Sequence, residues 1–233
     1  MSLPRRFIFS ALACAVLFAA SVLSAKASSF TIDTNPPNAS ISTFGNPNTA
    51  TYGQVITAVA GTTTLDSFSF KIQTTGSITY RAYVMAWNGT QAVGPILFES
   101  ANQVATGIGF QQYTYNTGGV GLSPGTQYVL FASISNTYLP GNSAGTMAAR
   151  SDNPYAGGSF VYMNNGPSFS LLTSTPWSSF SGYDLAITAN FSDNVPGALV
   201  APVPEPATML LLSTGLAGVV AKVKRRKRNS HRT

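Results

Sequence analysis

Charge is scarce in this chain. Of its 233 residues only 9% are Asp, Glu, Lys or Arg, against about a quarter in an ordinary soluble domain. Cysteine occurs once, at Cys14, and histidine once, at His231. A disulfide framework is therefore excluded. A Ser–His–Asp or Cys–His arrangement is excluded everywhere between these two positions, and a zinc site there lacks its usual ligands. The sequence also lacks a P-loop and a G-x-G-x-x-G run after a strand. Outside the termini no window carries a helical apolar stripe. The deficit of charge is not a sign of disorder, because hydrophobic residues still make up 44% of the chain.

The charges that exist are unevenly placed. The formal net charge is +6, but it belongs to the ends: Arg5, Arg6 and Lys26 on one side, Lys222 to Arg232 on the other. Between Ser28 and Val200 the basic residues are Lys71, Arg81 and Arg150, set against Asp33, Asp66, Glu99, Asp152, Asp184 and Asp193. The middle is acidic, and nucleic acid is excluded as its partner.

Residues 1–27 have the three parts of a secretory signal peptide: Arg5 and Arg6, the apolar run Phe7–Leu23, and the small-x-small site Ala25-Lys26-Ala27. An uncleaved N-terminal anchor is the alternative. The C-terminal end mirrors this logic. Pro202-Val203-Pro204-Glu205-Pro206 leads into an apolar transmembrane segment, 207–221, and then into a basic cluster of Lys222, Lys224, Arg225, Arg226, Lys227 and Arg228. At about 1.5 Å per residue the segment is shorter than a roughly 30 Å bilayer core. Snorkelling lysines offset part of the mismatch. By the positive-inside rule the basic cluster and residues 229–233 stay in the cytoplasm and the middle is exported. A plain single-pass anchor is the simpler reading of this segment.

The tail resembles the PEP-CTERM sorting signal of bacterial surface proteins. The match is carried by Val203-Pro204-Glu205-Pro206-Ala207-Thr208, the Leu210–Leu212 run, Thr214-Gly215-Leu216-Ala217-Gly218 and the Arg/Lys cluster. The resemblance implies recognition by an exosortase, a membrane-embedded cysteine protease-transpeptidase. It further implies transient anchoring in a Gram-negative inner membrane, and delivery to the cell surface or an exopolysaccharide matrix. Val203, Pro204, Glu205 and Pro206 would be recognition elements, and the prolines keep the motif extended outside the helix. Phe68–Ser100 is similar to other ectodomains with this tail. The resemblance transfers no biochemical activity to the middle.

That middle, residues 28–194, reads as strands, with 195–202 as a Pro/Gly linker. Alternation predicts strands at Asp66–Ile72 and Ile78–Trp87, joined by a turn at Thr74-Thr75-Gly76. Further strands are expected at Gln54–Ala60, Pro95–Glu99, Phe110–Tyr115, Gln127–Ile134, Ser159–Tyr162 and Asp184–Phe191. Asn136–Pro154, rich in Gly, Asn, Ser and Ala, reads as a long loop. Many short strands with Gly/Pro/Asn turns predict an all-β, antiparallel β-sandwich, jelly-roll-like, with helices only in the two terminal segments. An immunoglobulin-like sandwich has similar strands, but its Cys–Trp–Cys signature is absent.

Three readings of the middle follow. The first is a non-catalytic component of the surface or exopolysaccharide matrix, with no cofactor. The second is a carbohydrate-binding module. It rests on aromatics expected opposite the core face of Ile78–Trp87, namely Tyr83 and Trp87, and on Trp177 in a Ser/Thr-rich loop. Burial in the core is the readier account of each ring. Calcium is the cofactor that this reading admits, with Asp33, Asp152 and Asp184 as oxygen ligands; capping of turns is the simpler role for them. The third is a hydrolase with paired carboxylates drawn from Glu99, Asp66, Asp152 and Asp184, although no motif marks them. The Asn-x-Ser/Thr matches at Asn38, Asn88 and Asn190 carry no meaning for a bacterial exported chain.

Overall fold

The alternating segments become the middle of two antiparallel sheets in the computed structural model of the chain. It describes residues 29–45, 49–61, 64–139 and 143–193. The expected signal peptide and linker, the sorting motif at Val203–Pro206, the segment 207–221 and the basic cluster lie outside the described residues. Among the described residues no helix is long and apolar enough to cross a membrane. The longest helical piece there is the single turn Leu171–Ser174.

The first sheet contains β1 (Ser29–Asp33), β2 (Ala39–Gly45), β4 (Thr64–Thr74), β8 (Gln111–Gly121), β10 (Ala144–Arg150), β13 (Asp184–Leu185) and β14 (Thr188–Ser192). The second contains β3 (Thr51–Thr57), β5 (Ser77–Trp87), β6 (Ala92–Glu99), β7 (Gln103–Thr106), β9 (Gln127–Ser133), β11 (Phe160–Met163) and β12 (Ser178–Ser179). Every strand pairing is antiparallel. The first sheet is centred on β4. Its Thr64–Ile72 stretch pairs with β8 on one side. On the other side β14 and β10 share its length, β14 taking Thr64–Ser69 and β10 taking Ile72–Thr74.

The two sheets face each other across one core. Phe68, Phe70 and Ile72 of β4 meet Ile78, Tyr80, Ala82 and Val84 of β5, all of them fully buried. Two strands of period two place one apolar face each toward the other, and burial of those faces supplies the dominant favourable term. A polar bond crosses the same core: the hydroxyls of Tyr80 and Tyr115 lie 2.6 Å apart. Burial pushes both phenols well above the ordinary tyrosine value, so in this dry setting each is a neutral partner for the other.

The expected long loop at Asn136–Pro154 is corrected. Most of its second half is β10, paired with β4 on one side and β2 on the other, with Met147, Ala148 and Ala149 buried. A side chain at Gly145 would sit 2.6 Å from both the Gln73 carbonyl and Ile78 Cδ1. Small residues are needed because β10 passes close under its neighbours. The expected strand Asp184–Phe191 is also divided. Its first two residues pair with β10, and Thr188 onward pairs with β1 and β4.

Candidate functional site

The second sheet has a second buried layer on its outer face. Tyr83, Met85 and Trp87 of β5 point away from the shared core, as alternation requires. They pack with Val55, Val129, Phe131, Val161 and Met163. The cover is the segment from Phe169 to Trp177, which brings Leu172 and Trp177 onto this face. Tyr83 stacks on Phe131 at 4.9 Å, and Trp177 stands edge-on to Trp87 and to Phe131 at 5.5 Å.

Of the two accounts of these rings, burial is the one that holds: Tyr83 is fully buried, and Trp87 and Trp177 retain only 9% exposure each. Alternation does divide β5 into two faces, but from Tyr83 to Trp87 both are covered. Burial and the hydrogen bond donated by Asn136 act in opposite directions on the Tyr83 phenol; burial wins and its pKa is pushed up to about 12.

Polar bonds fix the cover. Thr51 Oγ1 donates to Asn165 Oδ1 at 2.9 Å, and Asn165 Nδ2 donates to Ser135 Oγ at 2.7 Å and to the Ser168 carbonyl at 3.1 Å. The Trp177 indole N–H donates to the Leu172 carbonyl, and its backbone N–H to the Thr90 carbonyl, each at 2.9 Å. Gln91 Nε2 closes the contact by donating to the Thr173 carbonyl. The side chains of Thr51, Asn165 and Trp177 are thereby satisfied, which is what makes polar groups tolerable inside an apolar layer.

Where this cover meets the sheet it leaves an open cleft of about 250 Å³. Its lining includes Trp87 and Trp177 together with the polar side chains of Thr90, Gln127, Ser159 and Ser179. Among the described residues no charged side chain lines it. Two of the three aromatics singled out in the sequence thus come to one place, while Tyr83 lies beneath in the buried layer. The lining suits a neutral, hydroxyl-bearing group slightly smaller than a usual drug-sized ligand. Gln127 and Ser159 carry no sequence motif, and only the strand pairing brings them beside Trp177.

The acidic residues are placed apart from this cleft. Asp33 accepts from the Asn35 backbone N–H at 3.0 Å and from Asn35 Nδ2 at 2.8 Å, a turn-capping arrangement. Asp152 takes a two-pronged contact from Arg150, with bonds of 2.8 and 2.6 Å. That guanidinium draws its carboxyl down to about 2. Asp184 is fully buried and accepts from Gln54 Nε2 at 2.7 Å and from the Tyr155 N–H at 3.0 Å. Burial raises its pKa, and those two donors oppose the rise. Glu99 pairs with Arg81 at 2.6 Å, and Asp66 accepts from Ser192. Among the described residues no three His, Cys, Asp or Glu side chains gather where they could hold a metal ion.

Among solved structures, the chain is similar to a clostridial cysteine protease after propeptide cleavage. The identity is 17% and the TM-score 0.50, covering 71% of this chain and 40% of that one. It also matches the protease and lectin-like domains of a surface-layer-associated protein of Clostridium difficile. There the identity is 17% and the TM-score 0.43, over 63% of this chain and 33% of that one. The chain thus spans less than half the length of either, and at this identity the first match speaks for the β-fold alone. No curated protein matches the sequence. The tail is the exception: residues 202–227, with their Pro-Glu-Pro, apolar run and basic cluster, are a PEP-CTERM protein-sorting motif.

Proposed function

We propose that this is an exported, non-catalytic protein of the cell surface or exopolysaccharide matrix, routed there by its tail. The observation that carries the reading is the sorting motif at residues 202–227 behind an all-β domain. In this reading residues 1–27 direct export and are removed, and the domain is a jelly-roll-like sandwich. Segment 207–221 holds the chain briefly in the inner membrane, with Lys222–Arg228 on the cytoplasmic side. An exosortase recognises Val203-Pro204-Glu205-Pro206 and releases the domain. No turnover is expected: Asp152 and Glu99 are each held by an arginine and Asp184 is sealed in the interior, which leaves no facing pair of free carboxylates among them. Glu205→Ala tests the sorting step. Unprocessed chain should accumulate in the inner membrane, and normal processing and delivery would remove Glu205 from recognition.

The cleft favours a second reading, a carbohydrate-binding module. Two tryptophans and uncharged donors and acceptors around one cleft are the side-chain types that suit a neutral sugar. A glycan array probed with the exported chain, with calcium and then with EDTA, is the direct test. Binding should fall several-fold in Gln127→Ala, which alters the lining and leaves the buried layer intact. Absence of binding to any glycan would end this reading and leave the structural role.

A further inference from the structure

The free edges of the two sheets are not equally protected. A sheet edge displays unpaired N–H and C=O groups, and folded proteins block such edges with charge, proline, bulges or brevity. Most edges here carry one of these devices. β12 has two residues and β7 four. β6 contains Gly94-Pro95, ends on Glu99 and is broken by a register shift opposite Val84–Ala86. β1 ends on Asp33. β2 skips Thr43 in its pairing with β10.

β8 is different. Gln111 to Asn116 pair residue for residue with Ile72 to Ser67, and the bulge at Thr117–Gly119 comes only after them. This run, Gln-Gln-Tyr-Thr-Tyr-Asn, has no charge, no proline and no glycine. Gln112, Thr114 and Asn116 are exposed on its outer face, while Tyr113 and Tyr115 turn toward the core. Among the described residues β8 pairs only with β4, so no strand forms a ladder with its other edge.

We infer that this edge is an assembly surface, and that its partner is β8 of a second copy of the same chain, paired antiparallel. The strand is its own complement. Opposed residues in an antiparallel pair share a face, so only registers that set outer against outer residues are allowed. Placing Thr114 on the two-fold axis does this. It sets Gln112 against Asn116, and Tyr113 against Tyr115, in both halves of an isologous contact. Amide and hydroxyl side chains then line the outer face with no like charges to repel. The first sheets of the two copies become one continuous sheet. A contact of this length falls at the small end of specific interfaces. It is weak for two free molecules and becomes effective where many copies are held close together. The inference goes beyond the proposed surface role and does not depend on how the tail is processed.

The test uses the full chain. Across the axis the two Thr114 Cα atoms would lie about 4.5–5.5 Å apart, inside the roughly 4.4–6.8 Å range a disulfide spans. Thr114→Cys should yield a disulfide-linked dimer on non-reducing electrophoresis, far above the background of Ser123→Cys, an exposed turn position in a chain with the same Cys14. A charge swap is the second arm, read by co-capture of two differently tagged copies. Thr114→Lys alone and Thr114→Glu alone should each lose roughly fivefold or more of their self-capture, since like charges then oppose each other. A mixture of the two should regain it. Cross-linking no greater than in Ser123→Cys would overturn the proposal. So would self-capture of Thr114→Lys equal to that of the parent chain, including the case where the chain's own 195–206 segment covers the edge.

Discussion

Arg150 and Asp152 show what a rare charge does in a chain with so few. They sit two positions apart at the end of β10, and the guanidinium also donates to the Pro36 carbonyl at 2.8 Å, tying this end to the β1–β2 connection. Asp152 titrates low because the arginine bonds its ionised form. The sign follows: a depressed carboxyl contributes stability above its unfolded value, near 3.9, and that contribution disappears as pH falls toward 2. The pair is solvent-exposed, so the effect on stability is small. The cleaner readout is the carboxyl itself. Its NMR titration midpoint should lie near pH 2 and should move up into the ordinary Asp range in Arg150→Gln; an unmoved midpoint would deny the pairing in solution. Composition alone marked both residues as unusual, but not as partners. Tyr83 and Trp87 teach a related lesson. Their common face was legible from alternation, but whether that face is wet depends on residues 82 to 94 positions downstream, Phe169 to Trp177.

At the scale of elements, strands with large alternating side chains were legible and strands of small ones were not. β4 and β5 announce themselves through Phe68, Phe70, Tyr80 and Val84. β10 reads Ala-Gly-Thr-Met-Ala-Ala-Arg, a composition shared with loops, yet it lies between β4 and β2. Its assignment depends on space rather than on pattern. Gly145→Ala should therefore cost more than a loop glycine would. The new methyl meets a carbonyl and Ile78 at once, and overpacking of this kind costs about 1–3 kcal/mol. A shift in the urea midpoint with an unchanged slope would register it. The same substitution at Gly109, whose surroundings are open, is the comparison. If the two variants were equally stable, the close passage of β10 would be wrong. β8 was anticipated in its first half, but its role as the least guarded edge becomes visible only when every edge is compared.

For the molecule as a whole, the tail was legible in plain sequence as a sorting motif, and the middle kept its cleft hidden. A tail signal is read by another protein as a linear motif, so its information is local. A cleft between a strand, a turn and a covering segment is assembled from Val55, Trp87, Gln127, Ser159 and Trp177. No spacing rule connects those positions. The two sheets are also unequal partners: the centre of the second, around β9, is covered by apolar layers on both faces, and the first keeps alternate residues of β8 in solvent.

That inequality sets the order in which the molecule comes apart. β9 runs between β3 and β5 in full register, and every residue from Tyr128 to Ser133 is buried. Its amide protons can reach water only when the cover, the neighbouring strands and the shared core have all let go. In deuterated buffer β9 should be the last segment to exchange, at the rate of global unfolding, while the outward amides of β8 exchange first. Early exchange in β9 would contradict the double burial. The clock of the molecule thus starts at the edge offered to a neighbour and stops in the strand that nothing outside can touch.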